Sequence, residues 1–151
     1  NLENPPFGGT MNKRVFTGTL VLFFGMAIFS FITHGVLLSA EYQAEPMRSS
    51  MRSSDDMMNF MWIYYAVYLI QSYVLSFIFF KGYERKGMIE GVRFGVLSGL
   101  LMTAGLAIAN YAMYPTPLSV SLKWFFFGMT EFVVLGCLLA LVGAKVRSSK
   151  R

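Results

Sequence analysis

The chain has 151 residues, of which 55% are hydrophobic and 14% are charged, and its mean hydropathy is +0.52. An average soluble domain carries about 25% charged residues, so this composition argues against a water-soluble fold. The formal net charge of +5 comes from basic residues that flank apolar segments. That pattern is typical of membrane orientation rather than of a nucleic-acid partner.

Four apolar segments follow one another along the chain, at residues 15–40, 57–80, 92–114 and 122–144. A hydrocarbon core of about 30 Å needs about 20 helical residues at a rise of ~1.5 Å each, and all four segments reach that length. In lipid such segments must satisfy their own backbone hydrogen bonds, which makes them helices. The sequence therefore predicts an all-α fold, an integral membrane four-helix bundle over residues 15–144, with the bilayer as its solvent.

Two polar tails flank the predicted bundle. In the N-terminal tail, residues 1–14, the first ten residues (NLENPPFGGT) are rich in Pro and Gly, and Met11 with the Asn-Lys-Arg after it has the form of a natural start. Residues 1–10 are therefore expected to be either an artificial leader or a native tail from an upstream start. Residues 145–151 form the second tail, which is basic.

The first connection, residues 41–56, is the longest polar stretch between the apolar segments. It contains the repeat MRSSMRSS, followed by Asp55 and Asp56. A serine hydroxyl before a helix accepts a hydrogen bond from a free backbone N–H, and nearby carboxylates suit the helix dipole. The sequence therefore predicts that Ser53 or Ser54 caps the second apolar helix.

Small residues recur every four positions along the third segment, and a looser series follows in the fourth. Small side chains let membrane helices approach closely, so that van der Waals contact replaces the hydrophobic drive that lipid removes. We expect these positions to pack helix against helix within the chain, with a partner interface as the alternative. They are Gly91, Gly95, Gly99, Thr103 and Ala107 in the third segment, and Gly128, Gly136, Ala140 and Ala144 in the fourth.

Lysine and arginine are unevenly divided between the two ends of the predicted helices, with ten at one end and three at the other. Cytoplasmic loops carry the excess of basic residues. The sequence therefore predicts that both termini are cytoplasmic (N-in, C-in) and that residues 41–56 lie outside. The ten are Lys13, Arg14, Lys81, Arg85, Lys86, Arg93, Lys145, Arg147, Lys150 and Arg151, and the three are Arg48, Arg52 and Lys123.

Two ionisable residues, His34 and Glu131, lie deep within the predicted helices. At ~1.5 Å per residue, His34 is about 9 Å and Glu131 about 13 Å inside the outer ends of their segments. Such groups are costly in lipid unless they are paired or solvated. We therefore expect a polar intramembrane site formed by His34, Glu131, Asn110 and Tyr111, with Tyr68 and Thr130 as further members.

Three interpretations of that site stay open. The first is a structural contact of His34 with Glu131 or with the backbone, the second a proton or cation path, and the third ligation of a metal, haem or chlorin pigment by His34. The structural contact is favoured, because closed or catalytic metal sites usually need three or four ligands and the chain has one histidine. No cofactor is predicted.

Catalytic motifs are missing from the sequence. Cys137 is the only cysteine, which excludes an internal disulfide and a CxxC redox relay. Neither the HExxH motif of zinc proteases nor the G-x-S-x-G nucleophile elbow occurs. The sequence predicts a non-catalytic protein.

Two short strings carry a resemblance to other proteins: HGVLL at residues 34–38, with Tyr42 shortly after it, and MYPTP at residues 113–117, ahead of Trp124. In these strings the chain resembles a group of small bacterial four-helix membrane proteins of unknown function. The resemblance covers most of residues 15–144. It implies a location in the bacterial inner (cytoplasmic) membrane and carries no activity with it.

Two functions remain after these exclusions. In the first, the chain is an accessory or structural subunit, packed against other membrane protein subunits or against itself; sparse polar chemistry and short loops favour it. In the second, it is a small proton- or cation-coupled transporter or channel that uses Glu131 and His34. A channel needs a polar face along the whole bundle, and the inner half offers only Gln71, Ser72, Ser76 and Ser98.

Overall fold

The structure is a computed structural model that describes residues 9–148. Within these residues the chain forms helices and no strands. The predicted leader lies mostly outside the described residues, as do residues 149–151 of the predicted basic tail.

Four of the helices are long and apolar enough to cross a membrane, which we name span 1 to span 4 in chain order: Met11–Leu37, Ser54–Lys81, Met88–Met113 and Leu118–Lys145. The prediction of an all-helical protein with four such helices is confirmed at this level. Their elements are α1 (Gly9–Ser30) with a π-helical segment (Phe31–Leu37) in span 1; the connecting helices α2 (Ser39–Gln43) and α3 (Met47–Ser50); α4 (Ser54–Lys81) as span 2; α5 (Met88–Gly99), a second π-helical segment (Leu100–Ala104) and α6 (Gly105–Met113) in span 3; and α7 (Leu118–Ser148), which contains span 4.

Local hydrogen bonds set the starts of α4 and α7, the helices that follow the first and third connections. The Ser53 hydroxyl accepts a hydrogen bond from the Asp56 N–H at 3.3 Å, so Ser53 is the cap of α4, as predicted. Helix α7 begins four residues earlier than its apolar segment, because the Pro117 carbonyl accepts hydrogen bonds from Val120 N–H and Ser121 N–H at 3.0 and 3.1 Å. A proline at this point pre-sets a helical backbone angle without losing an internal hydrogen bond.

The four spans pack in the spatial order 2–1–4–3, and not in chain order. Span 1 lies between span 2 and span 4, and span 4 lies between span 1 and span 3. Spans 2 and 3 follow each other in sequence, and their contact is confined to the region near the connection that joins them, where the rings of Phe79 and Phe94 pack edge to face with centroids 5.1 Å apart. Leu22, Leu135 and Leu139 are almost fully buried at the centre, where spans 1 and 4 meet. Spans 2 and 3 are thus the two flanks of the row.

Spans 3 and 4 approach closely along the small residues of span 3. A Cβ added at Gly91 would overlap the Gly136 backbone, and one at Gly95 would lie 2.6 Å from the Cα of Val133. Further along, a Cβ at Gly99 would lie 3.2 Å from the Cβ of Phe132, and a Cβ at Gly128 would overlap the Thr103 side chain. Each of these glycines therefore faces the other helix of the same pair, where a side chain would push the two helices apart.

Span 1 makes the equivalent close approaches through two glycines that the sequence reading did not single out. A Cβ at Gly18 would lie 2.8 Å from the Phe80 ring of span 2, and one at Gly25 would overlap Leu135 of span 4. Two hydroxyls add polar contacts between spans 1 and 2. Tyr68 donates to Ser30 Oγ at 2.8 Å, and Ser72 donates to the Met26 sulfur at 3.6 Å.

Candidate functional site

The polar contacts between spans 1 and 4 gather at one end of the bundle, where span 1 ends and span 4 begins; we call it the α2 end. At its centre is the hydroxyl of Tyr42, which belongs to α2. Tyr42 Oη lies 2.5 Å from His34 Nδ1 and accepts a hydrogen bond from Trp124 Nε1–H at 2.8 Å. The His34 and Tyr42 rings are nearly parallel, with centroids 5.9 Å apart. One phenol thus joins span 1, α2 and span 4.

A local change of helix type brings His34 and Tyr42 together. Over Phe31–Leu37 the backbone is π-helical, and the Leu38 N–H closes the last wide turn by donating to Thr33 O at 2.9 Å. Leu38 is fully buried and anchors the chain where it turns into α2, and the Tyr42 N–H then donates to Leu38 O at 3.2 Å. Single π-helical turns occur frequently at functional sites, where they re-aim side chains.

A second contact joins the same two elements beside the first. Lys123, which precedes Trp124, forms an ion pair with Glu41, which precedes Tyr42. The hydrogen bond from Lys123 holds the pKa of the Glu41 carboxyl below its usual range. Both side chains are partly exposed, 46% for Lys123 and 26% for Glu41, so water screens the pair and its contribution to stability is modest.

Tyr42 keeps its proton in this setting. The side chain is half-buried, and burial raises the pKa of Tyr42 to about 12. The phenol is therefore neutral at physiological pH and acts both as acceptor, toward Trp124, and as donor. The cluster of His34, Tyr42, Trp124, Glu41 and Lys123 is named the Tyr42 cluster below.

The other residues of the predicted polar site are not joined to His34. Glu131 is half-buried on span 4, seven residues beyond Trp124 and so about 10 Å deeper at ~1.5 Å per residue. Within residues 9–148 it forms neither an ion pair nor a hydrogen bond with His34. The predicted direct contact of these two residues is therefore replaced by the contact of His34 with Tyr42. Glu131 as part of a shared site stays a prediction.

Asn110, Tyr111 and Thr130 also lie apart from the Tyr42 cluster's hydrogen bonds. Asn110 is half-buried and Tyr111 exposed, and Tyr111 lines a cavity of about 190 Å³ between spans 3 and 4 with Ser121 and Phe125. The Thr130 hydroxyl donates to Phe126 O of its own helix at 2.9 Å. These residues form no hydrogen-bonded network with one another in the part of the chain that the structure describes.

Metal ligation would have to rest on His34 almost alone. The described residues bring together no group of three or more His, Cys, Asp or Glu side chains. Ligation of a pigment, haem or metal by His34 stays the less favoured alternative that the sequence leaves open.

The sequence predicts a polar site around His34 but not the partners that His34 has in the structure. In the sequence, Tyr42 and Trp124 stand out only through the resemblance, and Lys123 only as a basic residue at a helix end. Their positions in the sequence could have indicated the contact. Glu41-Tyr42 comes just after one apolar segment and Lys123-Trp124 lies at the start of another, and each is a charged residue followed by an aromatic one. The sequence of the chain matches no family model, no curated protein and no solved structure.

Proposed function

We propose that the chain is a non-catalytic, multi-pass protein of the bacterial inner membrane that serves as an accessory or structural subunit, packed against other membrane protein subunits. The observation that carries the proposal is the open row of spans. Span 2 packs on span 1 along one side and leaves its opposite side uncovered.

The uncovered side of span 2 has the pattern of a helix-packing surface. Ser72 and Ser76 face span 1. At about 3.6 residues per turn, Ile63, Val67, Ile70 and Val74 lie on the opposite side, and they are 42%, 43%, 63% and 44% exposed. Their spacing of four, three and four residues is the spacing of a coiled-coil seam, and β-branched side chains lose little entropy there. We name these four residues the span 2 seam.

The proposed orientation is N-in and C-in, which puts the Tyr42 cluster at the outer face of the membrane. Its support is the excess of Lys and Arg at the opposite end of the helices.

The transporter alternative is less well supported, because the interior hydroxyls lie within packed helix contacts. Ser72 donates to Met26, and Ser98 donates to the Phe94 carbonyl of its own helix at 2.8 Å. Ser76 is fully buried against Gly18, and its hydroxyl has no hydrogen-bond partner among the described residues. Conduction of protons or cations requires polar groups that succeed one another along a path, and these groups face their packing neighbours instead.

Purification from native membranes tests the proposal. The tagged full-length chain, extracted in a mild detergent, is expected to bring other membrane proteins with it. The paired substitution Val67→Trp and Ile70→Trp on the span 2 seam should remove them. The matched control is Leu101→Trp on span 3, which changes a side chain that is 81% exposed. A chain that purifies alone, or a partner set that survives the seam variant and is lost with Leu101→Trp, would contradict the proposal.

A further inference from the structure

The direction of the hydrogen bond between Tyr42 and His34 determines where the protons of the Tyr42 cluster lie. The indole of Trp124 can only donate, so its N–H uses the Tyr42 oxygen as acceptor. The contact of 2.5 Å between Tyr42 Oη and His34 Nδ1 suits either group as the donor, depending on the histidine tautomer. If His34 donated, the phenol proton would have no acceptor among the described residues, so we assign Tyr42 as the donor to His34 Nδ1.

This assignment determines the tautomer of His34. A neutral imidazole carries one ring proton, and when one nitrogen accepts, the other is the donor. With Nδ1 accepting from Tyr42, the proton is on Nε2. His34 is an exposed side chain, and Nε2 has no hydrogen-bond partner among the described residues. The cluster thus presents one oriented N–H group on the surface of span 1.

The position of that N–H selects the kind of acceptor. His34 lies three residues before the end of span 1 at Leu37, about 4.5 Å at ~1.5 Å per residue. At that depth the surrounding medium is the boundary between the apolar core and the headgroups, where an unpartnered N–H is costly. The acceptors available at this boundary are the phosphate and ester oxygens of phospholipids. A metal ion, by contrast, would require an unprotonated Nε2.

We propose that His34 Nε2–H is a docking point for a phosphate oxygen of a phospholipid headgroup, held in orientation by Tyr42 and Trp124. The proposal rests on the membrane placement and orientation proposed above. The nearby cation, Lys123, is neutralised by Glu41, so recognition relies on the hydrogen bond rather than on net charge. Phosphatidylethanolamine and phosphatidylglycerol should therefore bind about equally well.

The single histidine of the chain makes the proposal directly measurable. The full chain, labelled with ¹⁵N in its histidine ring and reconstituted in vesicles of phosphatidylethanolamine and phosphatidylglycerol, gives one pair of ring nitrogen signals. Solid-state NMR should show an unprotonated Nδ1, a protonated Nε2 and a cross-peak between the Nε2 proton and lipid ³¹P. Tyr42→Phe should abolish the tautomer preference and weaken that cross-peak, whereas Tyr111→Phe, on an exposed tyrosine with no hydrogen bond in the described residues, should change neither.

Further measurements distinguish lipid phosphate from free phosphate, and a failure of this proposal from a failure of the proposed function. In a maltoside detergent, which contains no phosphorus, added inorganic phosphate should leave the Nε2 signal unchanged. If inorganic phosphate shifted that signal in detergent and the vesicle sample showed no cross-peak to lipid ³¹P, the site would bind free phosphate and the lipid proposal would be overturned. A proton on Nδ1, an Nε2 bonded to a metal, or a protonated Nε2 without any ³¹P contact would also overturn it. The wild-type spectrum decides these outcomes even if Tyr42→Phe fails to fold. Failure to purify with partners would leave this spectrum unaffected, so the two proposals fail separately.

Discussion

Tyr42 Oη lies 2.5 Å from His34 Nδ1, so that a residue of a five-residue helix reaches back to the span that precedes it. The same oxygen accepts from Trp124 on span 4. Because Tyr42 and Trp124 are 82 residues apart along the chain, the phenol is a cross-link between distant parts of the sequence. Its removal affects both spans at once.

We expect Tyr42→Phe to lower the free energy of unfolding by about 1–3 kcal/mol, because two polar partners lose their hydrogen bond in a half-buried setting. Reversible unfolding in mixed micelles measures the change. In a double-mutant cycle, His34→Leu and Tyr42→Phe should couple by about 0.5–3 kcal/mol. The cycle of His34→Leu with Glu131→Leu should be close to additive, since no hydrogen bond or ion pair joins these residues in the described structure.

The opposite result would support the pairing of His34 with Glu131, which their similar depth in the membrane predicts. If His34 coupled strongly to Glu131 and weakly to Tyr42, the Tyr42 cluster would not describe the protein in lipid. Tyr111→Phe is the control for loss of a hydroxyl, because Tyr111 is exposed and makes no hydrogen bond within the described residues. Its expected effect is within about 0.5 kcal/mol, as for surface substitutions in general.

The apolar segments and the Ser53 cap could be predicted from the sequence because each depends on residues that are neighbours along the chain. Segment length and hydropathy set the spans, and a hydroxyl three residues before a free N–H sets the cap. The spatial order of the spans could not be predicted in this way. It depends on which surfaces fit, and Gly18 and Gly25, seven residues apart, give a weaker signal than the regular glycines of span 3.

The partners of His34 escaped prediction for a related reason. A depth argument compares positions along the membrane normal and paired His34 with Glu131, but it says nothing about direction around the helix. The π-helical turn over Phe31–Leu37 contains more residues per turn than an α-helix, so the His34 side chain points in a different direction around the helix axis than it would in a regular helix. Tyr42 lies in the connection after the first apolar segment, so a comparison of depths within the segments does not include it.

Close packing of spans 3 and 4 predicts a sharp contrast between two glycines. In Gly95→Ala the new methyl would lie 2.6 Å from the Cα of Val133, whereas at Gly105 the added Cβ would have no packing neighbour within 4 Å apart from the adjoining backbone of its own helix. Gly95→Ala should therefore destabilise by overpacking, by about 1–3 kcal/mol. Gly105→Ala should be neutral or stabilising by up to about 1 kcal/mol, because alanine is the better helix former.

The midpoint of unfolding in mixed micelles measures both glycine variants under the same conditions. Equal effects of the two substitutions, or a larger loss for Gly105→Ala, would mean that Gly95 does not face span 4. Gly95→Leu extends the series, since a larger side chain at the same contact should cost more than the methyl group.

The Lys123–Glu41 pair predicts an acid-dependent component of stability. Lys123 holds the pKa of Glu41 below its ordinary value of 4.5, so the unfolded chain takes up this proton at a higher pH than the folded one. The contribution is therefore fully present above about pH 4.5 and is lost as the pH falls through the lower pKa of the folded state. Thermal unfolding between about pH 7 and about pH 3 should show a smaller acid loss in Glu41→Gln and in Lys123→Gln than in the wild type. Different pH profiles for these two variants would show that the acid response has another origin.

Topology is the last prediction, and it decides whether the Tyr42 cluster faces outward. In a Cys137→Ser background, Ser49→Cys reports on α3 and Lys86→Cys on the connection between spans 2 and 3; both residues are exposed. Because basic residues are retained on the cytoplasmic side, an impermeant thiol reagent added to intact cells should label Ser49→Cys and spare Lys86→Cys. Permeabilised cells provide the control, in which both should react. Labelling of Lys86→Cys alone in intact cells would invert the orientation, and labelling of both would contradict a span between them, because α4 would then not cross the membrane.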